Sequence, residues 1–576
     1  MKKAHKILIS IFIITTVLVT IAIININNLL ESYIKEVLDD VVQNSEQGVY
    51  QFEYDNINFH IWNGNFEITG VKIQPKPGIA DSVKNGVIRS VISGEFTKLT
   101  VVGLSFWKFY KTKNINIDEL IVNKPSLKLL YNPDVEKPKQ TFNLSKLFNE
   151  NLKSVGVKEF ILKNVDLDIN NILRKNLLLS VDSMNFMLND VRLDSITISN
   201  KIPFVYSGIN LFINKSSANI SPYYMLKTDK FFFNSEEKTV EIDSINIIPK
   251  YTEAEFNKMI PHEKAYLKIK TDKLLISGFN IDSILATKKI YLDKILIKKP
   301  YIDVYKNKRI KDPPYSYKKI LTQTIREIPI KIKIDSIKAD DGLIKVRTIG
   351  DKVPQTLPAI LDFNTFYTSI TGLTNDSIFL EKRPVVNIYF YSKFMGKADL
   401  NVQISMPVFH AQNYFTVKGN LAEMDARTLN EYLRKLLLMR IKSGYILGVD
   451  FNFVANKDSA RGYIDISYKN LKIDIKNTEK PNKSVVFVNA LVNTITKSNN
   501  IKGADNFTRG FIQYKHDYND KFIKYLWKII NNGLMNTLLP AKEIKGKSKK
   551  YKKQEKDKKQ ENKNDKKGFN FLKKDK

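Results

Sequence analysis

Residues Asn114–Tyr131 read NINIDELIVNKPSLKLLY, and this stretch decides the fold. Ile115 and Ile117 alternate with polar neighbours, and Leu120 and Val122 are likewise two apart, so each pair lies on one face of an extended strand. Three residues separate Ile117 from Leu120, and a regular strand would send the second pair to the opposite face. The Asp118 step is therefore either a bulge that restores the face or a point where the strand bends, or else simply the end of a strand in an ordinary sandwich. The bend is the favoured reading, because repeated bends curl a sheet into a gutter.

The same pattern recurs at Asp194 (VRLDSITI), Asp243 (VEIDSINI), Asp293 (IYLDKILI) and Asp335 (IKIDSIKA), with looser copies at Asp182, Asp229, Asp272, Asp282 and Asp376. Its irregular spacing excludes a solenoid of fixed period. Two copies run on past a proline at matching places, Pro125 and Pro300. Proline lacks a backbone donor and marks a strand start or an edge, so each unit reads as strand, tight turn, strand. A chain of such units builds one wide antiparallel sheet. Alternation extends from Val49 to about Ile475, with Asn63-Gly64 as a turn, and Leu429–Gly444 is the best helical stretch. The fold class expected is mainly β: an N-terminal transmembrane helix, a long curled antiparallel β-sheet forming an open groove, a few helices and a C-terminal amphipathic helix.

The N-terminus, MKKAHKILISIFIITTVLVTIAIININ, places Lys2, Lys3 and Lys6 before an apolar run from Ile7 to about Ile26. Twenty helical residues span about 30 Å, a bilayer hydrocarbon core. The basic flank stays cytoplasmic. A cleaved signal peptide is the alternative, but the run is long for one and no small-x-small site follows it. An uncleaved single-pass anchor with an exported body is expected, and Leu29 to Val42 reads as a short helix leading away from the membrane.

The formal net charge is +32, which would suggest nucleic acid. Its distribution argues otherwise: Ala541 to Lys576 holds sixteen lysines against six acids, and no Arg-rich groove motif occurs. No nucleic-acid partner is expected. That tail is low in apolar residues and reads as disordered, solvated by default, with anionic lipid head groups as the other reading. The chain has no cysteine, which excludes disulfides, thiol catalysis and Cys-zinc sites. Five histidines, His5, His60, His262, His410 and His516, are scattered, and no H-E-x-x-H, G-x-S-x-G or P-loop pattern is present. Asp340-Asp341 before Gly342 reads as a turn. No enzyme activity, catalytic residue, metal or cofactor is expected.

An exported sheet with one curled apolar face suggests lipid. A chain crossing water costs about 0.8 kcal/mol per methylene, and an apolar trough removes that cost without a tight site. The groove candidates are Ile115, Ile117, Leu120, Val122, Leu127 and Leu129, with Ile290, Leu292, Ile295 and Ile297 in the later copy. The alternative for each is a place in a closed core. Near the C-terminus, HDYNDKFIKYLWKIINNGLMNTLLPA is amphipathic. It reads either as a helix capping the open end of the sheet or as an interfacial helix, with Phe522, Leu526, Trp527 and Ile530 as membrane-surface candidates.

The sequence resembles the AsmA-like family of Gram-negative envelopes, related to TamB and to repeating β-groove lipid carriers. Four stretches carry the resemblance: YQFEYDNINFHIWNGNFEITGVKIQP; DELIVNKPSLKLLYNP followed by TFNLSKLF; the region from Tyr414 to Ile475; and FTRGFIQYKHDYNDKFIKYLWKIINNGLMNTLL. The resemblance implies a plan of a basic flank (1–6), transmembrane helix (7–26), helical linker (27–47), N-terminal β region (48–205), middle β repeats (206–380), C-terminal β region (381–480), closing segment (481–540) and Lys-rich tail (541–576). It also implies an inner-membrane anchor, a periplasmic groove, and phospholipid transport serving outer-membrane biogenesis and lipid homeostasis. Membrane phospholipids and envelope proteins are the partners it implies. The rival reading is an exported scaffold that assists envelope protein assembly.

Overall fold

The structure, a computed structural model, describes residues 50–60, 63–135, 148, 152–174, 176–199, 202–351, 357–382, 384–437, 439–475 and 497–538. The expected transmembrane helix, linker and Lys-rich tail lie outside them, as does TFNLSKLF except for Phe148. Among the described residues no helix is long and apolar enough to cross a membrane. The chain is mainly β, with twenty-three strands in mostly antiparallel ladders. It divides into two compact units, Met1–Thr252 with Lys268–Lys298, and Glu253–Leu267 with Lys299–Lys576.

The first unit carries β1 (Tyr50–Glu53), β2 (Asn56–His60), β3 (Asn65–Pro75), β4 (Ser90–Val102), β5 (Asn114–Asn123), β6 (Ser126–Tyr131), β7 (Ser154–Asn171) and β8 (Asn176–Asp194). It continues through β9 (Gly208–Asn219), β10 (Tyr224–Asn234), β11 (Thr239–Pro249), most of β12 (Tyr266–Ser277) and β13 (Lys289–Lys298). These form one unbroken ladder. The unit's hydrophobic core comes from one face of this single sheet, with Leu104, Leu152 and Phe204 from its connections.

The Asp118 step restores the face without shifting register. Ile117 pairs with Val157 and Glu119 with Glu159, so Asp118 and Lys158 drop out of the ladder together. Ile115, Ile117, Leu120 and Val122 are all at most 3 % exposed in one core. Opposite Asp118 stands Gly103 at φ +73, where any Cβ would lie 1.9 Å from the Asp118 carboxylate. Asp293 repeats the arrangement against Gly278 at φ +79. Asp243 and Asp335 also step inside strands, whereas Asp194 ends β8.

The proline units differ from the expected strand, tight turn, strand. β5 and β6 run on in one direction and both pair parallel with β7. Lys124, at φ 48, and Pro125 form a kink between them. Lys124 N–H donates to Lys163 O, and Pro125 O accepts from Asp166 N. The missing proline donor thus falls where the ladder skips. Lys299 (φ 47) and Pro300 repeat this with Asp340 O and Leu343 N. Each parallel pairing needs a long crossover, and the sheet is therefore not wholly antiparallel.

The second unit carries β14 (Tyr301–Asn307), parallel to β15 (Lys331–Ile349). Its antiparallel run follows through β16 (Ala359–Thr374), β17 (Val385–Phe394), β18 (Ala398–Pro407), β19 (Phe415–Leu421), β20 (Met424–Asp425), β21 (Met439–Ala455), β22 (Ser459–Ile475) and β23 (Gly510–Lys515). Asp340-Asp341 is not a turn but a bulge inside β15, with Asp341 at φ 55. The helix expected over Leu429–Gly444 ends at Leu436, and Met439 onward joins the long β21–β22 ladder. Backbone pairing over seventeen residues outweighs local helical spacing.

A closing helix, Phe522–Leu538, packs on β22 and β23 with Tyr525 and Ile529 fully buried. Helix and strand meet through two glycines. A Cβ on Gly510 would lie 2.1 Å from Gly533 O, and one on Gly533 would lie 2.4 Å from Ile464 Cγ2. Gly510→Ala should therefore lower unfolding stability by about 1–3 kcal/mol, read from the denaturant midpoint. An unchanged midpoint would contradict this packing.

Candidate functional site: an apolar face that opens along the sheet

Register allows the inner face of the first unit to be followed strand by strand. One row runs Ile57, Ile68, Leu99, Val122, Leu162, Phe186, Leu211, Phe233, Val240, Ile276 and Ile295, from β2 to β13. A second runs Val165, Met184, Ile213, Phe231, Ile242, Leu274 and Ile297. Past the bulge line a third runs Ile92, Leu129, Ile169, Leu179, Ala218, Leu226, Ile247 and Ile269. Ile169 belongs to the same core, and Leu129 and Leu179 pack against it. None of the three rows contains a charged residue.

Burial changes along these rows while the chemistry does not. Leu99, Val122, Leu162 and Val165 are 0 % exposed. From β9 onward Leu211, Ile213, Phe231, Ile242, Leu274, Ile276, Ile295 and Ile297 are all part-exposed. In the third row Leu226, Ile247 and Ile269 are part-exposed too. In the first two rows the face is sealed over β3–β8 and opens over β9–β13 except at Phe233 and Val240, whereas the third row is already part-exposed at Ile92, Leu129 and Leu179. Where polar side chains enter it they satisfy each other: the Ser216 and Thr228 hydroxyls pair at 2.7 Å.

Of the sequence-derived groove residues, Ile115, Ile117, Leu120, Val122 and Leu127 stand in the sealed section. Leu129 is part-exposed on the third row. In the later copy Leu292 is buried, whereas Ile290, Ile295 and Ile297 are part-exposed. The connection between β12 and β13 caps part of the opening. Phe279 meets Phe233 edge-on at 5.5 Å, and Ile281 packs against the core. The Tyr206 hydroxyl donates to the Asp282 carboxylate, tying the helix Ile281–Thr287 to the chain before β9. Burial, then that hydrogen bond, raises the Tyr206 pKa. This cap gives no alternation signal, and sequence reading missed it.

The second unit shows a comparable gradient. Ile337, Ile370 and Ile388 are part-exposed, and the same row continues into Ile404, Val417, Phe453 and Ile512, which are buried near the closing helix. On that helix Phe522, Leu526 and Ile530 pack against the sheet core. Of the four membrane-surface candidates only Trp527 points outward, 52 % exposed, beside Ile523 at 73 %.

Arg347 and His516 are held in structural contacts. Arg347 forks onto Asp303 at 2.8 and 3.0 Å and reaches Glu253 at 2.6 Å. Burial opposes its charge, but the hydrogen bonds from Glu253 and Asp303 prevail and raise its pKa. His516 stacks on Tyr525 at 3.8 Å, with Nδ1 at 2.7 Å from Lys457 O. Among the described residues no three His, Asp or Glu side chains gather as a metal site.

The gradient has a measurable consequence. Ile117→Asp buries an unpaired charge and should cost about 3–5 kcal/mol. Ile242→Asp, on the part-exposed stretch, should cost roughly 1–2 kcal/mol. Equal losses in chemical denaturation would contradict the burial gradient. In comparisons with known proteins, no protein-family model matches this chain, and a search of curated proteins finds no match either.

Proposed function

We propose that this chain is a membrane-tethered envelope protein whose half-open apolar sheet face shelters lipid chains in passage between membranes. The observation that carries the reading is the three apolar rows, which continue without a charge into the part-exposed strands β9–β13. A closed core would stop where the sheet stops being covered. Here the apolar rows outrun their cover, and an acyl chain laid on them recovers about 0.8 kcal/mol per methylene removed from water. No tight site is needed, which agrees with the generic Ile, Leu, Val and Phe lining.

The resemblance to AsmA-like proteins supports the same reading and adds its setting: an inner-membrane anchor with a cytoplasmic N-terminus, a periplasmic body and a part in outer-membrane lipid supply. On this reading the protein is not an enzyme and takes no cofactor. Its partners are membrane phospholipids and, at its ends, envelope proteins. The sealed section over β3–β8 favours a second role there, as a rigid scaffold against which other envelope proteins assemble.

The test is lipid content. The full chain, extracted in mild detergent, should carry phospholipid in stoichiometric amount by mass spectrometry. Ile242→Asp combined with Leu274→Asp should strip it while the melting transition survives. Phospholipid no higher than in a detergent blank, or content unmoved by the double change in a folded protein, would overturn the proposal.

A further inference from the structure

The first unit also has a cavity of about 830 Å³, whose lining includes Phe186, Leu211, Phe233, Val240 and Ile276 of the first apolar row but is drawn mainly from the other side of the strands. Most of its lining residues are those that alternate with the inner rows. Phe212 pairs across strands with Phe232, Phe232 with Glu241, Glu241 with Leu275, and Leu275 with Leu296. These positions therefore share the opposite face. The volume falls within the roughly 300–1,000 Å³ of small-ligand pockets. The lining runs from β7 to β13, about 29 Å at about 4.8 Å per strand step. Most of it falls into two adjacent cross-strand rows, so the cavity is a trench long enough for one extended chain and narrow for two.

The trench has polarity. Its floor is Met187, Phe212, Phe232, Leu275 and Leu296, with the Phe212 and Phe232 rings 4.7 Å apart. Phe232 is 44 % exposed, uncommon for so large an apolar ring. At the β13 end stands Lys294, exposed and without an ion pair among the described residues. Two acids line it: Glu241, already matched by Lys273, and Glu237, exposed at the turn between β10 and β11, where it accepts from the Thr239 hydroxyl. An apolar trench with one unmatched cation at its end fits a single-chain amphiphile with an anionic head.

We propose that this opposite face holds one long-chain carboxylate or its lysolipid equivalent, head at Lys294 and tail over Leu296, Leu275, Phe232 and Phe212. The proposal stands apart from the lipid path on the inner face, because neighbouring residues along each strand belong to different faces.

That alternation makes the test sharp. The full-length chain, held in amphipol, is photolabelled with diazirine-bearing palmitic acid, its methyl ester, or a diazirine lysophosphatidic acid, and adducts are assigned by residue. The acid should label Phe212, Phe232, Leu275 and Leu296. Phe232→Asp should cut that labelling more than about tenfold. Lys294→Glu, a change on an exposed side chain, should cut it about threefold, and the ester should label less than the acid by a similar factor. Lysophosphatidic acid labelling above the acid would assign the site to lysolipid, and the reverse to fatty acid. Adducts confined to Phe231, Ile242, Leu274 and Ile297, inner-row residues outside the cavity lining, would overturn the proposal. So would opposite-face labelling indifferent to both variants.

Discussion

Strand parity is the constraint on which the rest of this structure depends. A sheet that buries one face must keep its apolar side chains on that face, and any bend that adds a residue flips all that follow. Here Asp118 steps out of the ladder together with Lys158 and is set against a left-handed glycine, as Asp293 is, so Ile117 and Leu120 stay on one side despite their odd spacing. Ser183 and Ser244, at φ 53 and 52, mark the same kind of step in β8 and β11. The restored parity keeps one face of the sheet apolar.

Given that constraint, length does the rest. A short sheet with an apolar face must find a second layer. In this thirteen-strand ladder the first two rows are buried over β3–β8. Over β9–β13 the rows persist with less cover. The stretch around Asn280 and Lys288 reproduces that around Ser105 and Lys113, each with a capped short helix and a left-handed lysine leading into the next strand. Yet the first copy is sealed and the second half-open, so cover depends on place in the sheet and not on the local motif.

Much of this was legible in the sequence, because alternation is a local property. The strands, the face shared by Ile115, Ile117, Leu120 and Val122, and the step at Asp118 follow from spacing alone. The kink at Lys124-Pro125 was misread as a reversal. A missing donor marks where pairing lapses but not whether the chain turns back. Asp340-Asp341-Gly342 has turn composition, yet β16 holds it within one long strand. The helical spacing after Leu429 gives way to strand at Met439 because β22 supplies a partner there. The burial gradient was not legible at all: Val122 and Ile297 are alike as residues and differ only in what lies over them. The opposite-face trench was missed for a related reason, since Phe212, Phe232, Leu275 and Leu296 are far apart in sequence and meet only through register.

The absence of any native cysteine permits the most direct measurement of the central claim. Single cysteines placed by Ile247→Cys, Ile269→Cys and Ile297→Cys, with Leu162→Cys as the sealed reference, can be timed against a thiol-reactive probe with and without phospholipid. The three open positions should react much faster than the reference and slow when phospholipid is added. Rates as slow as at Leu162, or fast rates that phospholipid leaves unchanged, would contradict an open, lipid-covering face.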